Sequence, residues 1–208
     1  MELINNTSKT LKDDLSVEIK KGSKLSIAAA CFSIYAFQEL KKQLTSIEEL
    51  RFIFTSPTFV AEKTKKEKRE FYIPRLNRER SLYGTEFEIK LRNEMTQKAI
   101  AKECADWIKE KVTFKSNISD KTIQGQLVVD DTGYTPINNF TTVELGCEKG
   151  NVISTTIVKD QSLAQTLIRD FNEIWNDKKV LQEVTDEVVE SITAAYNENS
   201  PDFIYFVT

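Results

Sequence analysis

Two apolar runs of strand length, joined by a helical pattern, constrain this chain most. Lys24-Leu-Ser-Ile-Ala-Ala-Ala-Cys-Phe32 is followed by Ile34, Phe37, Leu40 and Leu44 at helical spacing, with Glu39, Lys41 and Lys42 on the outer side. Leu50-Arg-Phe-Ile-Phe-Thr55 comes next and is closed by Ser56-Pro57. Strand, helix and strand in about 30 residues make a βαβ unit, whose strands are parallel and whose crossover is right-handed. Further helix and strand patterns surround this unit.

The rest of the chain offers them. Thr7 to Lys21 has Leu11, Leu15 and Ile19 on one side, with Thr7 or Ser8 as the expected cap and Gly22 as the stop. Phe87 to Val112 is mainly helical, and Ser162 to Trp175 and Thr185 to Tyr196 read as two further helices. Strands are expected at Val112-Thr-Phe114, Ile123 to Val129 and Ile153 to Val158, with a turn at Asp130-Asp131-Thr132-Gly133. The expectation is an α/β fold: a mixed β-sheet flanked by helices over residues 1–160, then a helical C-terminal extension over 161–208.

The chain has no histidine among its 208 residues. That removes Ser-His-Asp and Cys-His nucleophiles, imidazole bases and His-ligated metal sites. Neither the P-loop nor the dinucleotide-binding glycine pattern occurs. Cys31, Cys104 and Cys147 are too far apart for a C-x-x-C pair and read as reduced thiols of a cytoplasmic protein, Cys31 and Cys104 as buried. No signal peptide or membrane-length apolar run is visible. Trp107 and Trp175 sit in helical apolar patterns and read as core.

The chemistry-bearing stretch is Gln124-Gly-Gln-Leu-Val-Val-Asp-Asp131, then Tyr134-Thr-Pro-Ile-Asn-Asn-Phe-Thr141 and Glu144-Leu-Gly146. Here the chain resembles the phospholipase D-like superfamily. In its nuclease branch a strand carries His-x-Lys with a following Asp, then Gly-Ser-x-Asn-Phe/Leu-Thr and a Leu-Gly pair. By that resemblance Gln124 stands at the nucleophilic His, Gln126 at the Lys and Asp131 at the Asp, while Asn139-Phe140-Thr141 matches and Pro136-Ile137 replaces Gly-Ser. The opening helix, first strand and closing segments resemble the N-terminal phospholipase D-like domain of bacterial Swi/Snf- or DEAD/DEAH-type helicases. The resemblance implies a downstream helicase domain in the same chain, and an ATP-dependent full-length protein in DNA restriction, repair or defence. ATP and Mg²⁺ would belong only to that domain, with no cofactor here. The apolar ending Pro201-Asp-Phe-Ile-Tyr-Phe-Val-Thr208 either docks as a last element or begins one that continues beyond it.

The substitutions change the chemistry. Glutamine can donate hydrogen bonds to a phosphate, but it is neither a nucleophile nor an acid–base catalyst. The family's phosphohistidine mechanism is thereby excluded. Gln124, Gln126, Asp131, Asn139 and Thr141 are either a retained phosphate site or a polar strand edge.

Two other charge features stand out. Residues 62–80 hold eight basic and four acidic side chains and read as an insertion, with Phe71, Tyr72 and Ile73 inside it. Lys65, Lys66, Lys68, Arg69, Arg75, Arg78 and Arg80 form either a solvated surface loop or a non-specific contact to DNA phosphates. Asp130, Asp131 and Glu144 (or Glu148) could hold Mg²⁺ in a metal-dependent nuclease, although the nearest Glu-x-Lys, Glu88-Ile-Lys90, precedes them. The third reading is a protein-interaction or dimerisation module. Its acidic helices would pack on another domain or on a second copy, and no membrane partner is expected.

Overall fold

A computed structural model describes residues 1–58, 95–147 and 156–197. Among these residues eight strands form one sheet in the order β1-β7-β6-β5-β2-β3-β4-β8. They are β1 (Glu2–Ile4), β2 (Lys24–Ala29), β3 (Glu49–Phe54), β4 (Val112–Asn117), β5 (Gln126–Val129), β6 (Thr132–Thr135), β7 (Ile157–Asp160) and β8 (Leu181–Glu183). β2, β3 and β4 run parallel, and every other pairing is antiparallel. The helices are α1 (Leu11–Glu18), α2 (Ile34–Glu39), α3 (Lys41–Leu44), α4 (Met95–Lys111), α5 (Gln161–Trp175) and α6 (Thr185–Asn197). The mixed α/β class and the parallel β2–β3 pair agree with the sequence reading.

Period-two alternation assigns each strand residue to a face. Leu25, Ile27 and Ala29, Leu50, Phe52 and Phe54, Val112 and Phe114, and Leu127 and Val129 point to one side. They join Leu11 and Leu15 of α1, Ile34 and Phe37 of α2, Cys104, Trp107 and Ile108 of α4, and Val188 and Ile192 of α6 in the larger core. Phe32, Phe52, Phe54 and Phe114 form its aromatic centre, with ring centroids 5.0–5.7 Å apart. Edge-to-face and offset arrangements of this kind add to what area burial contributes. Trp107 stacks near Phe37 and donates its indole N–H to the Leu44 carbonyl, so it can be buried without an orphan donor. Cys104 is fully enclosed in the same core, and burial pushes its thiol well above the ordinary value.

The opposite face carries Ser26, Ala28, Arg51, Ile53, Lys115, Gln126 and Gly133, and among the described helices α5 packs on it. Gly133 is required there: a Cβ would come 2.8 Å from the Leu167 side chain and 3.2 Å from the Ala164 backbone. Phe171 meets Ala28, Ile53, Val180 and Leu181 in a smaller second core.

Several expected boundaries move. α1 is capped by the Thr10 hydroxyl, which accepts from the Asp13 N–H. Thr7 and Ser8 do not cap it: their hydroxyls donate back to Asn5 and their N–H groups bond its side chain, an Asx turn. The single helix expected over 34–44 divides at Leu40, whose backbone (φ −112°, ψ 14°) leaves the helical region. Thr132 and Gly133, expected in a turn, belong to β6, and the hairpin loop is Asp130-Asp131 alone, with Asp130 at φ 47°. Of the strand expected over 153–158, the described part runs from Ile157 to Asp160.

Nor are residues 161–197 an appendage. β8 closes one edge of the sheet against β4, α5 covers the second face, and α6 packs on α4. A boundary at 160/161 would cut through both cores, because Phe171 and Val188 each lie inside one.

Candidate functional site

The parallel strands β2, β3 and β4 end at the same edge of the sheet, the end where α/β folds place their sites. Two short segments converge there. After β6 the chain crosses this end, and backbone bonds tie it down: Ala30 N–H to Asn138 O (2.8 Å), Phe140 N–H to Cys31 O (2.8 Å), Ser33 N–H to Phe140 O (2.9 Å) and Ile137 N–H to Gly125 O (3.1 Å). A Cβ on Gly125 would lie 1.8 Å from the Ile137 carbonyl oxygen, so the residue between the two glutamines must be glycine.

The structure separates the residues that the resemblance grouped. Gln124 precedes β5 and is exposed at this end. Gln126 opens β5 on the α5 face, buried, and its Nε2 donates to the Leu167 carbonyl at 2.8 Å. Its amide is therefore already engaged inside α5. Asn139 is half-buried beside Phe140 at the same end as Gln124. Thr141 is buried, and its Oγ1 accepts from the Glu144 N–H at 3.4 Å. Asp131 sits in the hairpin loop beyond the far end of β5, about 13 Å further along a strand of this length. Gln124 and Asn139 are thus brought to one end of the sheet, and Asp131 is not.

The three carboxylates of the metal reading are also apart. Asp130 Oδ1 accepts from the Lys24 N–H at 2.8 Å, at the start of β2. Glu144 lies at the finish of the parallel strands, where its Oε1 accepts from the Asn138 N–H at 3.1 Å. Burial raises the Glu144 carboxyl, against the opposing pull of that N–H. Among the described residues no group of three or more His, Cys, Asp or Glu is placed to hold a metal ion. Glu148 and the Glu88-Ile-Lys90 sequence lie outside the described residues.

Lys65, Lys66, Lys68, Arg69, Arg75, Arg78 and Arg80 also lie outside the described residues, as do Phe71, Tyr72 and Ile73. The described chain does establish what precedes that segment. β3 finishes at Phe54, and Thr55 to Thr58 continue from it, held by Asn117 Nδ2 on the Thr55 carbonyl (3.0 Å) and by the Thr58 N–H on Ser116 Oγ (2.8 Å). The chain resumes as α4, which runs straight into β4. The described chain that precedes the basic segment thus reaches, at Thr58, the end of the sheet that carries Gln124 and Asn139.

Two charge clusters escaped the sequence reading. In the first, Asp14 is buried on α1 and accepts from Tyr134 Oη (2.7 Å) and Lys159 Nζ (3.0 Å), with Lys9 also in contact. Glu18 accepts from Thr132 Oγ1 (2.7 Å) and Lys159 (3.0 Å). Burial alone would raise both carboxyls, but the hydrogen bonds outweigh it and hold them below the usual range. The same contacts raise Lys159, and burial together with Asp14 raises the Tyr134 phenol. The network fastens α1 to β6 and β7.

The second cluster lies under the C-terminal turn of α5. Arg51 donates to Asn172 Oδ1 (2.8 Å) and Ser26 Oγ (3.0 Å), with its guanidinium 5.0 Å from the Phe171 ring and 5.5 Å from the Trp175 ring. Lys115 donates to the Trp175 carbonyl (2.8 Å), and its ammonium is 4.4 Å from the same indole. Trp175, expected as core, is partly buried: it packs against the second core and its ring lies over these two cations. Cys31 is half-buried too, at the sheet end, rather than in the core. One signal was available in the sequence. Arg51 and Lys115 occupy alternate positions in Leu-Arg-Phe-Ile-Phe and Val-Thr-Phe-Lys, where a buried two-sided strand would carry apolar residues.

No helix among the described residues is long and apolar enough to cross a membrane. Comparison with known protein families finds no family model that matches this chain, and comparison with curated proteins finds no match either.

Proposed function

We propose that the chain is a non-catalytic phospholipase D-like module of a helicase-like DNA-processing protein, and that it contacts DNA phosphates without base specificity. The observation that carries the reading is the convergence at one end of the sheet. Exposed Gln124, half-buried Asn139 and the described chain that precedes the 62–80 segment all lie there. Such an end can hydrogen-bond phosphate oxygens and attract them by charge. The absence of histidine and the engagement of Gln126 by Leu167 speak against covalent phosphoryl chemistry.

Backbone contacts of this kind release counterions, so affinity should fall steeply with salt. The test is fluorescence anisotropy on labelled single- and double-stranded DNA across a salt series. Reversing Lys65, Lys66, Lys68 and Arg69 to glutamate should flatten the log–log salt slope by about 3 or more. Binding that is absent at low salt, or unchanged by the reversal, refutes the proposal.

A further inference from the structure

The two cations beneath α5 form a cluster on the α5 face of the sheet, with Lys115 one residue before the Ser116 that holds Thr58. Arg51 and Lys115 sit on neighbouring strands, two residue pairs apart in register and so on the same face, and both face the same indole ring. Among the described residues neither makes an ion pair. Burial lowers both from their ordinary values, and Arg51 and Lys178 each depress Lys115 further. Glu49 acts on Arg51 and Glu183 on Lys115, but neither carboxylate reaches bonding distance.

Part of the arrangement has a structural explanation. Lys115 satisfies the last carbonyl of α5, where a cation is favoured, and the rings of Phe171 and Trp175 attract both charges. Those contacts use one of three donors on Lys115 and two of five on Arg51. Among the described residues the remaining donors have no acceptor, and they belong to two half-buried like charges with exposed Lys178 three residues beyond Trp175. Fork donors beside a point cation and an exposed amide on Asn172 suit a tetrahedral oxyanion.

We propose that Arg51, Lys115 and Lys178 form an anion site that takes a phosphate group, either a free or nucleotide phosphate or a nucleic-acid backbone phosphate. The anion would neutralise the pair and lie against the edge of Trp175. None of these three residues belongs to the basic segment at 62–80.

Trp175 makes the test direct, because the only other tryptophan, Trp107, is buried in the larger core. Inorganic phosphate is titrated into the whole chain at constant ionic strength, following tryptophan fluorescence and Tm. A saturable fluorescence change with a rise in Tm is expected, with affinity at least tenfold weaker in Lys115→Met and in Arg51→Lys, which keeps the charge but loses the fork. Lys178→Met, at an exposed position, should weaken binding severalfold and serves if either other variant fails to fold. Displacement of phosphate by a thymidine oligonucleotide assigns the site to a nucleic-acid backbone. Retention of phosphate assigns it to a free phosphate group. Reversal of Lys65, Lys66, Lys68 and Arg69 should leave phosphate affinity unchanged. No saturable response in the unaltered protein, or equal affinity in the three variants, overturns the proposal.

Discussion

On one face of the sheet Phe52 and Phe114 stand opposite each other across β3 and β4; on the other face of the same strands stand Arg51 and Lys115. Among the described residues the first face is covered by α1, α2, α3, α4 and α6, and the charged residue buried there, Asp14, is paired. Among the described residues the second has α5 over it and leaves its cations partly exposed. Cover decides what chemistry a sheet face can keep. A face sealed by packed helices can hold a charge only with partners, since an unpaired one would lose its hydration for nothing. A face capped by a single helix keeps water at its margin, so charges there survive as a surface that can meet a ligand.

The sharpest way to break this contrast is in the aromatic centre. Phe114→Ala should cost about 3–5 kcal/mol, the range for emptying a large buried ring site. Urea denaturation followed by circular dichroism reads it, and a loss below about 1.5 kcal/mol would mean the sealed face collapses around cavities as readily as a loose one.

Asp14 tests the condition on charge. Asp14→Ala should cost about 2–3 kcal/mol, since Tyr134 loses its acceptor in the core while Lys159 and Lys9 retain some water. The linkage has a definite sign. Asp14 and Glu18 titrate lower folded than unfolded, so the unfolded chain binds more protons between the two values and stability rises with pH there. Their contribution is complete above the ordinary carboxylate range, about 4, and is lost as pH falls through the folded values. Melting temperatures at about pH 6 and pH 3 should therefore differ less in Asp14→Ala than in the unaltered chain. An equal difference would mean the network is not the acid-sensitive element.

On the other face, Gln126→Ala removes one buried bond to α5 and should cost about 1 kcal/mol. Native-state hydrogen exchange should report it at the Ala164–Phe171 amides before β3 responds. Equal loosening of β3 would show the two faces to be one cooperative unit. The smallest effect is expected at Gln124, which is exposed: Gln124→Ala should stay within about 0.5 kcal/mol by thermal melting. A larger loss would give it a structural role that its position does not suggest.

Much of the fold was legible from local pattern. β2, β3, α5 and α6 are long or strongly periodic, and their residues announce them. The strands that were missed or misplaced are short. β1 and β8 have three residues each, and β6 is Thr-Gly-Tyr-Thr after an Asp-Asp pair, whose composition reads as a turn. Such strands exist because neighbours pair with them. Within the candidate site, the glycine between Gln124 and Gln126 had a reason invisible in sequence, the carbonyl of Ile137 pressed against it.

Local order therefore determined a good deal by itself. A period of two sets which residues share a strand face, a period of 3.6 sets which share a helix face, and the lack of histidine bounds the available chemistry without any fold. What the sequence left open were meetings between distant residues. Lys159 reaches Asp14 across 145 positions, Arg51 reaches Asn172 across 121, and Asp131 parts from Gln124 although only seven positions separate them. These depend on strand order and on which helix covers which face. Both are set by how the whole chain buries its apolar surface, so only the tertiary structure decides them.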